Sequence, residues 1–331
     1  MTEVVIRKTV IALRNARDWL IAQIFFAFLA ILKLFPADGA IRFVSQAARG
    51  LGMLYPRTKL ARSNLRLAFP EKSEEEIEQI LKEMWANLGR IAAEYVYLDQ
   101  IFNINEADPS KGRVEVTGIE HFEKIKSLKG PVICFTGHTG NWELLPIASA
   151  AYGLNITALF RPPNNKYIAD KVLSARMTNM GHLVPSKVGA SWSLANVLED
   201  GGAVGMLVDQ FFMHGMEVDF FGKKTLSSPL LAKLVRQFDC PVIPARCVRL
   251  PNNRFRIEIG EEVTRHYHAN GSLDMERLTQ DVSDRVENWV REYPEQWLWL
   301  HKRWREYPTA EERKAKLQRR RKNKAKRKAG F

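Results

Sequence analysis

The amino-acid sequence predicts an α/β fold in which a central, mostly parallel sheet is flanked by helices and preceded by a helical amino-terminal extension. Apolar residues in roughly the first hundred positions recur at helical spacing. After Asp108-Pro109-Ser110, short β-branched runs alternate with helical segments, as is typical of α/β proteins. A third observation is an apolar stretch near the amino terminus, which indicates a membrane-associated segment.

The apolar stretch runs from Trp19 to Leu32 and is interrupted only by Gln23. It is shorter than the roughly 20 residues that a spanning helix needs. Basic residues flank it on both sides, at Arg7, Lys8, Arg14, Arg17, Lys33, Arg42, Arg49, Arg57 and Lys59. Because such flanks resist transfer across a bilayer, we expect a helix embedded in or lying on the cytoplasmic face of a membrane rather than crossing it. The alternatives are a buried core helix and, less favoured, a signal peptide.

The remaining elements follow in order along the chain. Helical spacing continues at 58–67 and 73–98, with Ser73 as an N-cap before an acidic first turn. The predicted strands are 114–116, 132–135, 156–160, 204–208, 242–248 and 254–259. The predicted helices among them are 142–152, 166–180, 190–200, 228–239 and 274–292. We therefore expect a membrane-anchoring helical segment at 1–57, an α/β domain at 58–310 and a basic tail at 311–331.

Charge and composition restrict the classes of function. The net charge is +13, but eleven Lys and Arg residues and no acids lie between Arg313 and Lys328, so the rest is nearly neutral. This tail lacks apolar periodicity and is predicted to be disordered; it could bind anionic lipid, an acidic protein or RNA, or remain solvated. The three cysteines and seven histidines form no zinc signature, and no phosphate-binding glycine motif occurs. We expect a reducing compartment, no metal and no nucleotide cofactor.

A histidine and a carboxylate stand where a predicted strand gives way to a helix. His138 follows the strand 132–135, and Glu143 follows five residues later. On one continuous helix they would lie about 140° apart around the axis, so His138 must occupy the turn and Glu143 the helix start. Gly137 and Gly140 give this turn its backbone freedom, and Asn141 is the expected N-cap. The pair predicts a general base whose tautomer is fixed by an acid.

Polar residues follow three strands of the predicted parallel sheet: His138, Arg161 and the pair Asp209-Gln210. Because the carboxyl ends of parallel strands meet at one edge, these residues should converge on one crevice. No nucleophile stands beside His138, since Cys134 falls within its strand, so direct attack by a substrate hydroxyl is favoured over a covalent intermediate. Backbone N–H groups at 140–142 are the expected donors to the developing oxyanion.

The ordered motifs resemble the late acyltransferases of bacterial lipid A biosynthesis, the lauroyl and myristoyl transferase family. The segments that carry this resemblance are His138 to Glu143 (the HxxxxE motif), Phe160 to Asn165, Arg176, Asp209-Gln210, Val218 to Gly222 and Tyr293 to Trp304. HxxxxE alone is a weak signal, but the ordered set spans nearly everything up to Tyr307. The resemblance implies a glycerolipid-acyltransferase-like fold.

The resemblance also implies a reaction. A fatty acyl chain would pass from an acyl carrier protein thioester to the 3-hydroxyl of an acyl chain on a lipid A precursor. That precursor would be Kdo-lipid IVA or a penta-acylated intermediate. His138 would be the base and Glu143 its partner, with no cofactor. Substrate contacts are implied for Asn141, Arg161, Asn165, Arg176, Asp209 and Gln210.

Other functions remain open from the sequence. Glycerophospholipid acyltransferases share the histidine and acid but usually carry Asp where this chain has Glu143. Glycolipid mannoside acyltransferases share the Glu. A membrane-tethered nucleic-acid binder that uses the basic tail is the non-enzymatic alternative, although no nucleic-acid partner is expected.

Two aromatic groups have alternative interpretations. Trp297, Trp299, Trp304 and Tyr307 alternate with basic residues, a pattern that suits the lipid–water interface, nucleic-acid stacking or packing in the core. The segments Phe211-Phe212-Met213 and Phe220-Phe221 could line an acyl tunnel or belong to the hydrophobic core.

Overall fold

The computed structural model describes residues 2–104, 112–127, 130–160, 165–169, 182–185 and 189–307. Its helices are α1 (Thr2–Leu32), α2 (Ala37–Leu51), α3 (Thr58–Ala68), α4 (Glu74–Glu94), α5 (Leu98–Ile101), α6 (Ile119–Ser127), α7 (Leu144–Ala151), α8 (Ala190–Glu199), α9 (Leu230–Phe238) and α10 (Met275–Glu292). Its strands are β1 (Val114–Thr117), β2 (Val132–Thr136), β3 (Ile156–Phe160), β4 (His182–Pro185), β5 (Ala203–Leu207), β6 (Phe211–Phe220), β7 (Lys223–Ser227), β8 (Val242–Leu250) and β9 (Arg254–Ile259). The predicted tail and the predicted helix beyond residue 169 lie outside the described residues.

Seven strands form one sheet in the order β1-β9-β8-β2-β5-β3-β4, which confirms the predicted fold class. All neighbouring pairs are parallel except β8 and β9. The central strand β2 pairs with β5 from Val132 opposite Ala203 to Thr136 opposite Leu207. Because β2 and β5 are parallel neighbours, the segments that follow them leave the sheet at the same edge.

The hairpin of β6 and β7 is the largest element that the sequence prediction lacks. Phe220 pairs with Lys223, so Phe221 and Gly222 form a two-residue turn, with φ of +55° and +63°. Positive φ at both positions is the geometry of a type I′ turn, which usually carries Asn-Gly. An aromatic residue at the first position conceals this signal. Phe220 and Phe221 are buried in the main core, so of the two alternatives given for these residues the hydrophobic core holds.

The carboxyl-terminal aromatic segment belongs mainly to the core. Trp297 and Trp299 are 1% and 0% exposed, and their rings meet edge to face with centroids 4.5 Å apart. These two tryptophans therefore belong to the hydrophobic core, and the predicted position at the lipid–water interface is wrong for them. Arg303 is also buried, donates to the Leu226 carbonyl and Ser227 Oγ, and packs over the Phe220 ring. This segment is clamped against the β6–β7 hairpin.

Helix α1 has two different faces. One face packs on the rest of the protein through Asn15, Asp18, Ala22, Phe25, Phe26, Leu29 and Leu32. The opposite face is exposed and apolar, with Val10, Ile11, Leu13, Trp19, Leu20, Ile21, Ile24, Phe28 and Ile31. By length and composition, the stretch from Thr9 to Leu32 could cross a membrane. This stretch is longer than the sequence prediction, because the helix continues through the polar residues at 14–18.

Both ends of the apolar stretch in α1 contact the same folded domain. At one end, Asn165 Nδ2 donates to the Asp18 carbonyl at 2.6 Å. At the other end, the Tyr97 hydroxyl donates to the Leu32 carbonyl, and Leu32 packs in a core cluster with Ala37. Helix α1 therefore lies along the surface of the domain.

A buried ion pair joins α4 to the sheet. The Glu94 carboxylate, which is 0% exposed, accepts hydrogen bonds from Arg249 Nη1 at 2.5 Å and Nη2 at 2.8 Å. Arg249 Nε donates to Asn87 Oδ1 at 2.7 Å, about two turns before Glu94 on the same face of α4. A buried pair with this hydrogen bonding is costly to break from one side only, because the remaining charge stays buried and uncompensated.

We predict that Glu94→Gln lowers the free energy of unfolding by about 3–5 kcal/mol. The control is Glu74→Gln at the other end of α4, where Glu74 pairs with Arg66 on the surface and the change should barely move the unfolding midpoint. Denaturant unfolding in detergent, followed by circular dichroism, measures both. Equal stability of the two variants would contradict the structural importance of the buried pair.

Candidate active site

The edge where β2 and β5 end brings together the two best candidates for catalysis. His138 stands two residues after β2 and Asp209 two residues after β5. His138 Nδ1 lies 2.7 Å from Asp209 Oδ1, and the His138 backbone N–H donates to Asp209 Oδ2 at 2.8 Å. Trp297 Nε1 donates to the same Oδ2 at 2.7 Å. The Asp209 carboxylate therefore fixes both the backbone and the imidazole ring of His138.

The electrostatics of this pair favour charge separation. Burial alone would lower the pKa of His138, but the Asp209 charge, its hydrogen bond and the Glu143 charge outweigh burial and raise that pKa above its ordinary value. Burial would likewise raise the pKa of Asp209, but the His138 charge and the hydrogen bonds from His138 and Trp297 hold it well below its usual range. Asp209 is thus ionised, and His138 carries its neutral-form proton on Nδ1. Its Nε2 is left as the proton-accepting atom.

Glu143 is close enough to His138 for its charge to act on the imidazole. It is the N-cap residue of α7 and accepts a hydrogen bond from Trp142 Nε1 at 3.0 Å. The sequence analysis assigned the orienting hydrogen bond on His138 to Glu143, but in the structure Asp209 holds Nδ1. The physical reason is that adjacent strand ends place residues 138 and 209 side by side. Glu143 contributes its charge to the site, and its catalytic importance stays a prediction.

The turn between β2 and α7 is held by residues from distant parts of the chain. Gly140 has φ of +56°, and a Cβ there would lie 1.9 Å from the Cys247 carbonyl oxygen, so only glycine fits. The Gly140 N–H donates to the Gln296 carbonyl at 3.0 Å, and Asn87 Nδ2 donates to the Gly140 carbonyl at 3.2 Å. The Gly140 N–H is therefore unavailable as the oxyanion donor that the sequence analysis expected.

The remaining predicted site residues differ in their placement. Asn141 is buried; its Nδ2 donates to Glu94 Oε2 at 2.8 Å and its Oδ1 accepts from the Glu143 N–H at 3.2 Å. The prediction that Asn141 is the N-cap is wrong: the N-cap of α7 is Glu143, and Asn141 shapes the turn two residues before it. Asn165 Oδ1 accepts the Tyr167 N–H, at the start of a short helical stretch. Substrate contacts by Asn141 and Asn165 stay predictions.

Gln210 is exposed and lies beside His138. Its Nε2 is 3.3 Å from His138 Nε2 and 2.8 Å from His301 Nε2. Arg161 and Arg176 lie outside the described residues. Within the described part of the chain, no group of three or more His, Cys, Asp or Glu side chains is arranged to hold a metal ion.

An apolar cavity of about 130 Å³ lies between α7 and the face of the sheet. Its lining includes Trp142 and Glu143 together with apolar side chains of the strands, such as Ile156, Met206 and Ile257. Trp142 also packs edge to face on the His138 ring, with centroids 5.0 Å apart. Trp142 therefore joins the cavity wall to the His138 ring, which is not itself part of the lining.

Sequence reasoning did not find several residues that build this site. Glu94, Asn87 and Arg249 support the turn from behind, and Trp297 and His301 reach it from the carboxyl-terminal segment. Their common signal would have been polar or aromatic residues inside otherwise apolar elements, as at Asn87 and Glu94 on the buried face of α4.

Comparison with known proteins identifies the family. Residues 6–306 match the family model for bacterial lipid A biosynthesis acyltransferases. The chain is 26% identical over 244 residues to a lipid A biosynthesis acyltransferase of Haemophilus influenzae, covering 72% of this chain and 73% of the relative. It is 25% identical over 280 residues to lipid A biosynthesis acyltransferase 2 of Shigella flexneri, covering 83% and 86%. It is also 25% identical over 244 residues to the lipid A biosynthesis myristoyltransferase of Escherichia coli K12, covering 72% of each.

The family match covers both the base and the carboxyl-terminal segment that closes on it. With the fold, the His138–Asp209 pair and the apolar cavity in place, the chain belongs to the bacterial lipid A biosynthesis acyltransferase family and is an acyltransferase.

Proposed function

We propose that the protein transfers a fatty acyl chain from an acyl carrier protein thioester to the 3-hydroxyl of an acyl chain on a lipid A precursor, either Kdo-lipid IVA or a penta-acylated intermediate. The observation that carries the chemistry is the His138–Asp209 pair beside an apolar cavity. The family and its named relatives support the lipid A acceptor. The carrier-protein donor rests on the resemblance of the ordered motifs.

The arrangement supports a direct attack. His138 Nε2 takes the proton of the acceptor hydroxyl while Asp209 holds Nδ1–H and stabilises the imidazolium. The alkoxide oxygen attacks the thioester carbonyl, and a tetrahedral intermediate forms. The carbon–sulfur bond then breaks, the ester forms, and the proton on Nε2 passes to the departing thiolate. The nearby thiol of Cys134 has its pKa raised by burial to about 12, so it is not a competing nucleophile.

The cavity beneath α7 suits one of the hydrocarbon chains. Its lining side chains are almost all apolar, and Glu143 and Thr136 are among the few polar ones. A fatty chain gains free energy from leaving water for such a site, at roughly 0.8 kcal/mol per buried methylene group. The end of the cavity at Trp142 would leave the reacting carbon or oxygen of that chain beside His138.

We also propose that α1 lies in the plane of the inner membrane at its cytoplasmic face. Contacts of Asp18 and Leu32 with one domain keep both ends of the apolar stretch on the same side. A crossing orientation centred on this long helix would place Arg14, Arg17 and Asp18 near the bilayer centre, where charged side chains are costly. The exposed apolar face of α1 fits the boundary between headgroups and acyl chains.

Acyl transfer by the purified protein tests the proposed function. We expect mass spectrometry to show one added acyl group on the lipid A precursor when acyl carrier protein carries the donor. His138→Ala should lower the rate by about 10²–10⁴-fold, because the general base is lost. Glu143→Ala should also be severely slowed, whereas His268→Ala, an exposed histidine, is the control.

Three outcomes of that experiment contradict the proposal. Near-normal turnover by His138→Ala would remove the mechanism. Acylation of a glycerophospholipid or a mannoside instead of the lipid A precursor would assign a different acceptor. Loss of all function on deleting residues 313–331, together with RNA binding by the intact chain, would favour the nucleic-acid alternative.

The pH dependence of kcat/KM tests the role of Asp209. His138 must be neutral to act as a base, and its pKa is raised, so activity should fall on the acid side with a midpoint above the ordinary histidine value of about 6.5. Asp209→Asn removes the charge that raises the pKa, so the midpoint should move to lower pH while kcat falls by about 10²–10⁴-fold. Asp200→Asn is the control, and an unmoved midpoint in Asp209→Asn would contradict the pairing.

Cysteine labelling tests the orientation of α1. Thr9→Cys and Lys33→Cys place thiols at the two ends of the long apolar helix. If α1 lies in the plane, a membrane-impermeant maleimide should label both variants in inverted inner-membrane vesicles and neither in intact spheroplasts. Lys233→Cys on α9 reports the side of the folded domain. Labelling of the two ends from opposite sides would show a crossing helix instead.

A further inference from the structure

The amide of Gln210 bridges two histidine rings. Gln210 Nε2 lies 3.3 Å from His138 Nε2 and 2.8 Å from His301 Nε2, and the two rings meet edge to face with centroids 5.4 Å apart. An amide nitrogen carries two hydrogens and can donate to two acceptors at once. Because Asp209 fixes the His138 proton on Nδ1, the Nε2 atom of His138 is an acceptor, as this bridge requires.

The backbone of the carboxyl-terminal segment fixes the position of His301. Asn64 Nδ2 donates to the Trp299 carbonyl at 2.9 Å and to the His301 carbonyl at 2.6 Å. The Leu298 N–H donates to the His138 carbonyl at 3.1 Å. The segment that carries His301 is thus tied directly to the turn that carries His138, so the spacing between the two rings is built into the fold.

We propose that Gln210 is a catalytic residue that donates a hydrogen bond to the oxyanion, and that His301 is the positioning residue that holds its amide. This inference rests on the proposed acyl transfer. Before substrate binds, the amide occupies the accepting nitrogen of His138 and stabilises its neutral form. The acceptor hydroxyl then displaces one N–H of Gln210 from His138 Nε2, while the other N–H stays on His301.

The displaced N–H is left beside the reacting centre. The alkoxide that forms at His138 Nε2 attacks the thioester carbonyl next to it, and negative charge moves to the carbonyl oxygen. Gln210 can donate to that oxygen, whereas the Gly140 N–H is already bound to the Gln296 carbonyl. When the carbon–sulfur bond breaks, the charge passes to the thiolate, which takes the proton from His138, and the amide returns to its resting position.

The proposal makes a distinctive prediction for kinetics. Gln210→Ala should lower kcat by about 10²-fold, as expected for loss of one oxyanion donor. The KM for the acceptor should stay unchanged or fall, because the amide no longer competes for His138 Nε2. His301→Phe keeps a ring but removes the acceptor, and it should lower kcat by a smaller factor. The matched controls are Gln237→Ala and His268→Phe, two exposed positions outside the site.

A double-mutant cycle separates positioning from independent effects. If His301 acts through Gln210, the double variant Gln210→Ala/His301→Phe should be no slower than Gln210→Ala alone. If the kcat of the double variant falls by the product of the two single losses, with unchanged melting temperatures, His301 does not act through Gln210. A kcat of Gln210→Ala within twofold of the wild type would overturn the role as oxyanion donor.

The protonation of His138 gives a readout that needs no substrate. The groups that face His138 are Asp209, Glu143, His301 and the Gln210 amide. Loss of the amide N–H removes a donor to the neutral ring, so Gln210→Ala and His301→Phe should raise the pKa of His138. NMR titration of histidine-labelled protein, with His138→Gln to assign the signal, measures this shift.

The two readouts distinguish failure of this inference from failure of the proposed function. If the wild type transfers no acyl group but the pKa of His138 rises in both variants, the bridge stands and the proposed reaction is wrong. If the wild type is active and the pKa does not move in either variant, the bridge is wrong and the reaction stands.

Discussion

The structure depends on satisfying one buried carboxylate. Asp209 accepts hydrogen bonds from the His138 backbone, the His138 ring and the Trp297 indole. An ionised carboxylate is costly to bury unless it is paired and hydrogen-bonded, and here all three donors come from other segments. The same interactions therefore close the carboxyl-terminal segment on the sheet and set the tautomer of the base. The hydrogen bonds that stabilise the fold at this site are therefore the same ones that orient the imidazole.

A second buried group of polar residues, Glu94, Arg249 and Asn87, supports the turn that carries His138. Glu94 links Arg249 on β8 to Asn141 in the catalytic turn, and Asn87 reaches the Gly140 carbonyl. Helix α4 thus holds the turn at residues 140 and 141, while Asp209, itself bound by Trp297, holds it at His138. A turn with one left-handed glycine would be mobile if left alone. Between these two sets of hydrogen bonds it has a single position, which is what a general base requires.

The sequence predicted the parts of this protein that depend on local pattern. The alternation of strands and helices placed β2, β5 and β8, and the rule of strand ends brought His138 and Asp209 to one edge. Sequence proximity alone made Glu143 the predicted partner that orients the His138 ring. The actual partner lies far along the chain, and only the order of strands makes it a neighbour. The burial of Trp297 likewise depends on tertiary packing. Aromatic residues that alternate with basic residues give the same sequence pattern in a core and at a lipid–water interface, so the pattern could not decide between them.

Two carboxylates act on one imidazole in different ways. Asp209 sits on Nδ1 and determines which nitrogen accepts the proton, whereas Glu143 contributes through its charge and through Trp142. A charge near a forming imidazolium needs no direct hydrogen bond to stabilise it, especially next to an apolar cavity that excludes water. The five-residue spacing between His138 and Glu143 spans the turn between β2 and α7, whereas in one continuous helix it would put the two side chains on different faces. It lets the chain leave the sheet, turn at Gly140 and bring Glu143 to the cavity wall, where its charge adds to that of Asp209 in acting on His138.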